Sequence, residues 1–184
     1  AKRAADRAEA VTVRDAWDAY LKDRRPHWGE RHYADHEDMA RAGGRKAKAG
    51  TRGRGETIPG PLHTLLALRL RDLDAATVEA WAKREAKARP TRARLALRIL
   101  KAFLRWCAAH TDYSAAARPE AATSKRSRET LGKPEPKNDV LLREQLPAWF
   151  SAVGSLSSAP HRVYLQCLLL IGCRPGELLE LTWD

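Results

Sequence analysis

The 184-residue sequence has almost no strand-like stretch: the apolar/polar alternation of a half-buried strand hardly occurs in it. A sheet-based scaffold is thereby set aside. Cysteine is scarce as well. Cys107, Cys167 and Cys173 supply neither a disulfide framework nor the paired spacing of a metal site. Each stands in an apolar helical context and reads as a small buried hydrophobe. So few unpaired thiols suit a reduced compartment. There is no secretory leader, and the apolar stretch from Val163 to Cys173 is far too short to span a bilayer. These absences describe an all-helical, soluble, cytoplasmic protein without a membrane anchor.

What is abundant is positive charge. Lys and Arg number 34 against 23 acidic residues, a formal net charge of +11. An excess of this size selects polyanionic partners, above all nucleic acid. It is unevenly placed: residues 1–110 hold 25 basic and 14 acidic side chains, whereas residues 111–184 hold nine of each. The length allows one large domain or two small ones, and the charge asymmetry points to two parts with different work.

Apolar positions recur at helical spacing almost throughout. Thr12 is placed to cap a first helix carrying Val13, Trp17, Tyr20 and Leu21 on one face and ending near Arg25-Pro26. A second helix is expected from Gly29 to about Ala42, exposing Arg31, His32, Asp35 and Glu37. "GGRKAKAGTRGRGETIPGP", Gly43 to Pro61, has six Gly and five Lys or Arg and no periodic face. It reads as a long basic loop, either merely solvated or in contact with a polyanion. After a short apolar helix, a third main helix is capped by Asp74 and stopped before Pro90, with Val78 and Trp81 inward.

The strongest periodicity is in "TRARLALRILKAFLRWCAAH", Thr91 to His110. Leu95, Ile99, Phe103 and Trp106 fall on one side; Arg94, Arg98, Lys101 and Arg105 share the other. Cations at this spacing repel one another by a few tenths of a kcal/mol per pair, and no acidic residue within the helix relieves them. Either water alone solvates this face or an external polyanion covers it. From Ala115 to Asp139 the pattern dissolves into Pro, Ser and charge, which reads as a basic linker carrying Lys125, Arg126, Arg128, Lys133 and Lys137. Beyond it, "LLREQLPAWFSAVGSL" suggests an amphipathic helix, "HRVYLQCLLLIGC" a buried one and "PGELLELTW" a third. That last helix has Pro175 in its first turn, Glu177 near its positive end and Arg174 at its start. A guanidinium there is a five-donor fork beside a helix dipole and suits a phosphate. A buried Arg-Glu pair inside the protein competes with that reading.

The arrangement around this corner resembles the first conserved box of the tyrosine recombinases, the phage-integrase family: Gly172, Arg174, Glu177, Leu178, Leu181, Trp183 and Asp184 fall in its pattern. Ile171 departs from it, standing where the family usually has Thr. Upstream, "TVRDAWDAYLKDRRPHWGERHYADHEDM", "LDAATVEAWAKR" and the Thr91–His110 stretch are similar to the helices of the family's core-binding domain. The resemblance implies an all-α, SAM-like helical core-binding bundle, the basic linker, then the opening helices of a catalytic domain. It also implies cleavage and rejoining of duplex DNA through a 3′-phosphotyrosine, without metal or other cofactor, by a longer parent that is tetrameric on paired DNA sites. Arg174 would neutralise the scissile phosphate and Glu177 brace its helix.

The family's catalytic lysine, histidines, second arginine and tyrosine lie downstream of this box, and Tyr113 and Tyr164 precede it. The expectation is therefore an amino-terminal piece, inactive alone and monomeric or weakly self-associating. Residues 1–10 would be a tail or the end of a preceding region, 11–114 the core-binding domain, 115–139 the linker and 140–184 the incomplete catalytic part. The expected DNA contacts are Thr91, Arg92, Arg94, Arg98, Lys101, Arg105, Lys125, Arg126 and Arg128. A non-enzymatic helical DNA-binding regulator or architectural protein would explain the charge but not the box. A helical adaptor for acidic proteins explains less.

Overall fold

Thr12 opens the first helix, α1 (Val13–Arg24), as the spacing predicts: its hydroxyl accepts from the Asp15 N–H at 3.1 Å while the Asp15 carboxylate accepts from the Thr12 N–H at 3.3 Å. The structure, a computed structural model, describes residues 10–47, 55–136 and 140–182. The tail 1–9, the middle of the basic loop, Lys137, Trp183 and Asp184 lie outside the described residues. Pro26 converts the end of α1 into a single 3₁₀ turn, and α2 (Glu30–Ala40) follows. The two ends of the basic loop pair as a short antiparallel ladder, with the Gly44 N–H on Thr57 O at 2.7 Å and the Thr57 N–H on Arg45 O at 2.7 Å.

The ladder's base is fixed by Gly60, whose N–H donates to Arg41 O at 2.8 Å. A Cβ on Gly60 would stand 2.3 Å from Met39 O and 2.5 Å from Asp38 O, a collision with the backbone of α2 that no rotamer relieves. Gly60→Ala is expected to lower stability by about 1–3 kcal/mol, the usual range for overpacking, read as a lower urea midpoint at unchanged slope. An unmoved midpoint would show that the loop base yields freely.

The expected short apolar helix is instead two 3₁₀ turns, His63–Leu65 and Leu70–Asp72. They bury Leu62, Leu65, Leu66, Leu70 and Leu73, each worth roughly 1.5–3 kcal/mol in transfer terms. Helix α3 (Ala75–Ala88) starts at Asp74, whose carboxylate accepts from the Thr77 N–H at 2.8 Å, a bond that holds its pKa below the usual range. Trp81 of α3 is buried and its indole N–H donates to Pro61 O at 2.7 Å.

Helix α4 (Pro90–Ala109) is the axis of the bundle. It buries Ile99 and Phe103 as expected, with Leu95 and Trp106 half-buried. It also buries Ala93, Ala96, Leu97, Leu100, Leu104 and Cys107. Its apolar surface is therefore far wider than one stripe, because α1 packs on one flank and α3 on another. Trp17 and Tyr20 of α1 meet Phe103 edge-on at 5.1 and 5.6 Å between ring centres. Burial pushes the Cys107 thiol up to about 12, so this cysteine is the inert core residue its context suggests.

The expected linker differs from what is observed. Residues Pro119–Thr123 form a 3₁₀ turn and Lys125–Leu131 a short helix, α5, and both pack on α3 and α4. Ala121, Ala122, Ser127 and Leu131 are buried. The Ser124 hydroxyl donates to Glu79 of α3, and Arg94 of α4 donates to Leu131 O at 3.0 Å. Small residues bury little area each, which is why no apolar face was legible there.

The described residues up to Pro134 make one compact unit and those from Glu135 onward a second. The second contains α6 (Leu146–Gly154), α7 (Ala159–Ile171) and α8 (Pro175–Leu179), with one 3₁₀ turn ahead of α6. Here the expectation of a buried helix fails: α7 has no buried residue, and Leu170 and Ile171 are 74% and 65% exposed. Cys167 and Cys173 are half-buried, not core residues. Within the described residues of this unit, α6 and the one-and-a-half turns of α8 offer too little surface to cover α7.

Candidate nucleic-acid interface

The cations of α4 recur at steps of four, three and four residues, which places Arg94, Arg98, Lys101 and Arg105 along one line of the helix. The apolar remainder of α4 is turned into the core, so this line faces outward. Arg98 and Arg105 are exposed and Lys101 is half-buried. Among the described residues none of these three forms an ion pair or a side-chain hydrogen bond. Arg94 is different. It is anchored by Leu131 O and by the Thr91 hydroxyl at 3.1 Å, and so ties α5 to α4.

That tie brings a second group of cations alongside. Arg94, Lys125, Arg128 and Lys133 line a groove of about 590 Å³ whose apolar floor includes Leu97 and Leu131. Arg128 is exposed, while Lys125 has only a loose pair with Glu129 at 3.6 Å. Two expected contacts are drawn elsewhere: Arg126 lies 3.6 Å from Glu79, and Arg92 lies 3.7 Å from Asp38. Exposed pairs at these distances contribute under about 1 kcal/mol, so both arginines exchange partners readily. Thr91 is exposed at the start of the helix.

One cation was missed. Arg24 of α1 lines a cleft together with Arg98, although 74 positions separate them in sequence. Periodicity reports neighbours on one helix and is blind to such a pairing.

The corner at Arg174 belongs to the second unit. Gly172 ends α7 at φ +69°, ψ 18°, the left-handed conformation that a Cβ disfavours, and its N–H returns to Leu168 O at 3.1 Å. Two residues on, Arg174 caps α8 from an extended conformation. The Glu177 carboxylate accepts from the Arg174 backbone N–H at 2.9 Å and from its guanidinium at 3.0 Å. The Arg174 side chain is 87% exposed, so the pair is a surface pair and not a buried one. That contact engages one of the guanidinium's five N–H donors.

No described tyrosine has an activated phenol in this chain's core unit. Burial pushes Tyr20 up to about 12 and raises Tyr113, the opposite of what a nucleophile needs. The Tyr164 hydroxyl donates to Pro175 O at 3.3 Å, bracing α7 against α8.

A capped helical bundle whose longest helix shows an unpaired cationic line defines a class, and comparison with known proteins agrees. Residues 12–129 match the phage integrase core-binding domain, and the chain belongs to the tyrosine recombinase, or phage integrase, family. Aligned over 192 positions, it is 36% identical to prophage integrase IntF of Escherichia coli (strain K12), an alignment that takes in 99% of this chain. The chain spans 40% of that protein's length. No solved structure matches it. The family match runs past Ala115 into α5, in line with the packing of that helix on the bundle.

Proposed function

We propose that this chain is the duplex-DNA-binding portion of a site-specific recombinase that cuts and rejoins DNA through a 3′-phosphotyrosine, working in the cytoplasm on a DNA-bound assembly of several copies. The observation that carries the reading is the unpaired line Arg98, Lys101 and Arg105, flanked by Lys125 and Arg128 on the neighbouring helix. A phosphate backbone meets such a line with about one phosphate per cation and releases condensed counterions as it binds. Phosphate contacts of this kind set register and orientation, whereas sequence is read at base edges.

Arg174 acts on this proposal at the scissile phosphate, neutralising charge as it builds in the transition state, with Glu177 holding the start of α8. The tyrosine nucleophile and the remaining catalytic groups are contributed by sequence outside these 184 residues, so the chain alone binds without cleaving. Supporting this, burial moves Tyr20 and Tyr113 away from nucleophilic use. Domain limits of 11–114 for the bundle and 140–184 for the start of the catalytic part remain part of the proposal, with 115–131 joined to the bundle by its packing.

Salt dependence tests the reading. With about six phosphates contacted, log K should fall against log salt with a slope near −5, at roughly −0.9 per phosphate. Fluorescence anisotropy on a labelled duplex from low to moderate salt measures it. A slope near zero would remove nucleic acid as the partner.

A further inference from the structure

The cleft shared by Arg24 and Arg98 is not accounted for by backbone binding alone. It lies between α1, α2 and α4, encloses about 430 Å³, and presents the rings of Tyr20, Trp28 and Trp106 beside the two arginines. That volume falls within the range of roughly 300–1,000 Å³ typical of small-ligand sites. It is too small for a stacked base pair with its backbone, and large enough for one extruded base.

The walls are built and held. His36 is buried, its Nδ1–H donating to His32 O at 2.8 Å, and its ring lies 4.1 Å from that of Trp28. The Trp106 indole N–H donates to Asp23 at 2.8 Å, which fixes that ring across the junction of α1 and α4. Trp28 and Trp106 are only half-buried despite these contacts, so part of each ring remains accessible. Among the described residues neither Arg24 nor Arg98 forms an ion pair, and Arg98 belongs to the cationic line of α4. A strand tracked by that line therefore passes the mouth of the cleft. Asp35 and His32 complete its rim and offer hydrogen-bonding partners to a base edge.

We propose that this cleft is a binding site for a single unpaired nucleotide of the bound DNA, its base stacked on the Trp28 and Trp106 rings and its flanking phosphates held by Arg24 and Arg98. Paired bases are stacked on one another and cannot reach aromatic side chains, whereas unpaired ones can. Stacking is tolerant of base identity and strengthens binding by roughly tenfold for one base. The site rests on the DNA-binding reading above and adds a preference for distorted or partly opened duplex over perfect duplex.

The test compares two duplexes of equal length, one fully paired and one with a single bulged 2-aminopurine, titrated with the 184-residue chain. The bulged duplex is expected to bind roughly tenfold tighter, with 2-aminopurine emission quenched on binding. Ala102→Leu, which narrows the cleft from an exposed position on its wall, should erase both the preference and the quenching and leave affinity for paired duplex unchanged. Trp28→Leu, with its helical circular dichroism verified, should do the same. Equal affinities for the two duplexes, or a preference that survives Ala102→Leu, would overturn the site while leaving DNA binding in place. Retention of neither duplex would overturn the DNA reading and the site with it.

Discussion

Reversing Arg98 and Lys101 together to Glu is expected to abolish retention on duplex DNA at moderate salt, weakening binding at least roughly 100-fold. Each reversal removes an attraction to a phosphate and installs a repulsion. At an effective dielectric near 20, such surface terms come to a little under about 1 kcal/mol apiece once screening is allowed for. Four of them make a difference of about 3–4 kcal/mol, or two to three decades in affinity. The fold should survive, since among the described residues neither side chain has a partner to lose and both stand on the outward line of α4. Helical circular dichroism is the control for that. Lys22→Glu, on the exposed last turn of α1, provides the comparison. If it weakens binding equally per charge, a diffuse electrostatic cloud replaces the α4 line as the contact surface.

In the full-length recombinase, Arg174→Ala should slow strand cleavage by roughly 100-fold to 1000-fold, the loss usual for one preorganised transition-state donor. Site binding should hardly change, because on the proposed reading most phosphate contacts come from the bundle and Arg174 meets only the scissile group as its charge rises. The geometry makes the guanidinium easy to recruit. Its pairing with Glu177 is a surface contact of 3.0 Å, worth under about 1 kcal/mol, and Glu177 keeps its bond to the Arg174 backbone N–H when the side chain turns to a phosphate. Arg174→Lys should rescue little, since an ammonium cannot reproduce the two-pronged contact. Cleavage of a nicked suicide substrate measures both variants. An unimpaired Arg174→Ala enzyme would end the catalytic assignment, and cleavage by the 184-residue chain alone would show that the nucleophile is already present.

Helix starts were the most legible part of the fold. Thr12 and Asp74 cap α1 and α3 because a short oxygen-bearing side chain ahead of an apolar period satisfies orphan N–H groups wherever it occurs. The cationic line of α4 was legible for the same local reason. What escaped was set by distant partners. The Arg94 bond to Leu131 O spans 37 positions and the Ser124 bond to Glu79 spans 45, and these turn an apparent linker into α5. Spacing also named Arg92 and Arg126 as contacts without revealing the carboxylates that compete for them. The error over α7 ran the other way: an apolar run states a need for burial, and whether neighbours meet it depends on how much covering surface is at hand.

Helix α4 carries fully buried core side chains and the cations Arg98, Lys101 and Arg105 on one 20-residue rod. The proposed contact surface therefore cannot melt while the fold persists, as a tail or loop would. Local fraying leaves it intact, and only global unfolding destroys it. Occupancy by a polyanion is then linked to the whole folding equilibrium of the unit. A ligand present at a hundred times its dissociation constant adds about 2.7 kcal/mol to the folded state, comparable to a large share of the net stability of a small domain. On the proposed reading, the like charges along α4 strain the bare bundle slightly, and a bound polyanion turns that strain into stabilisation.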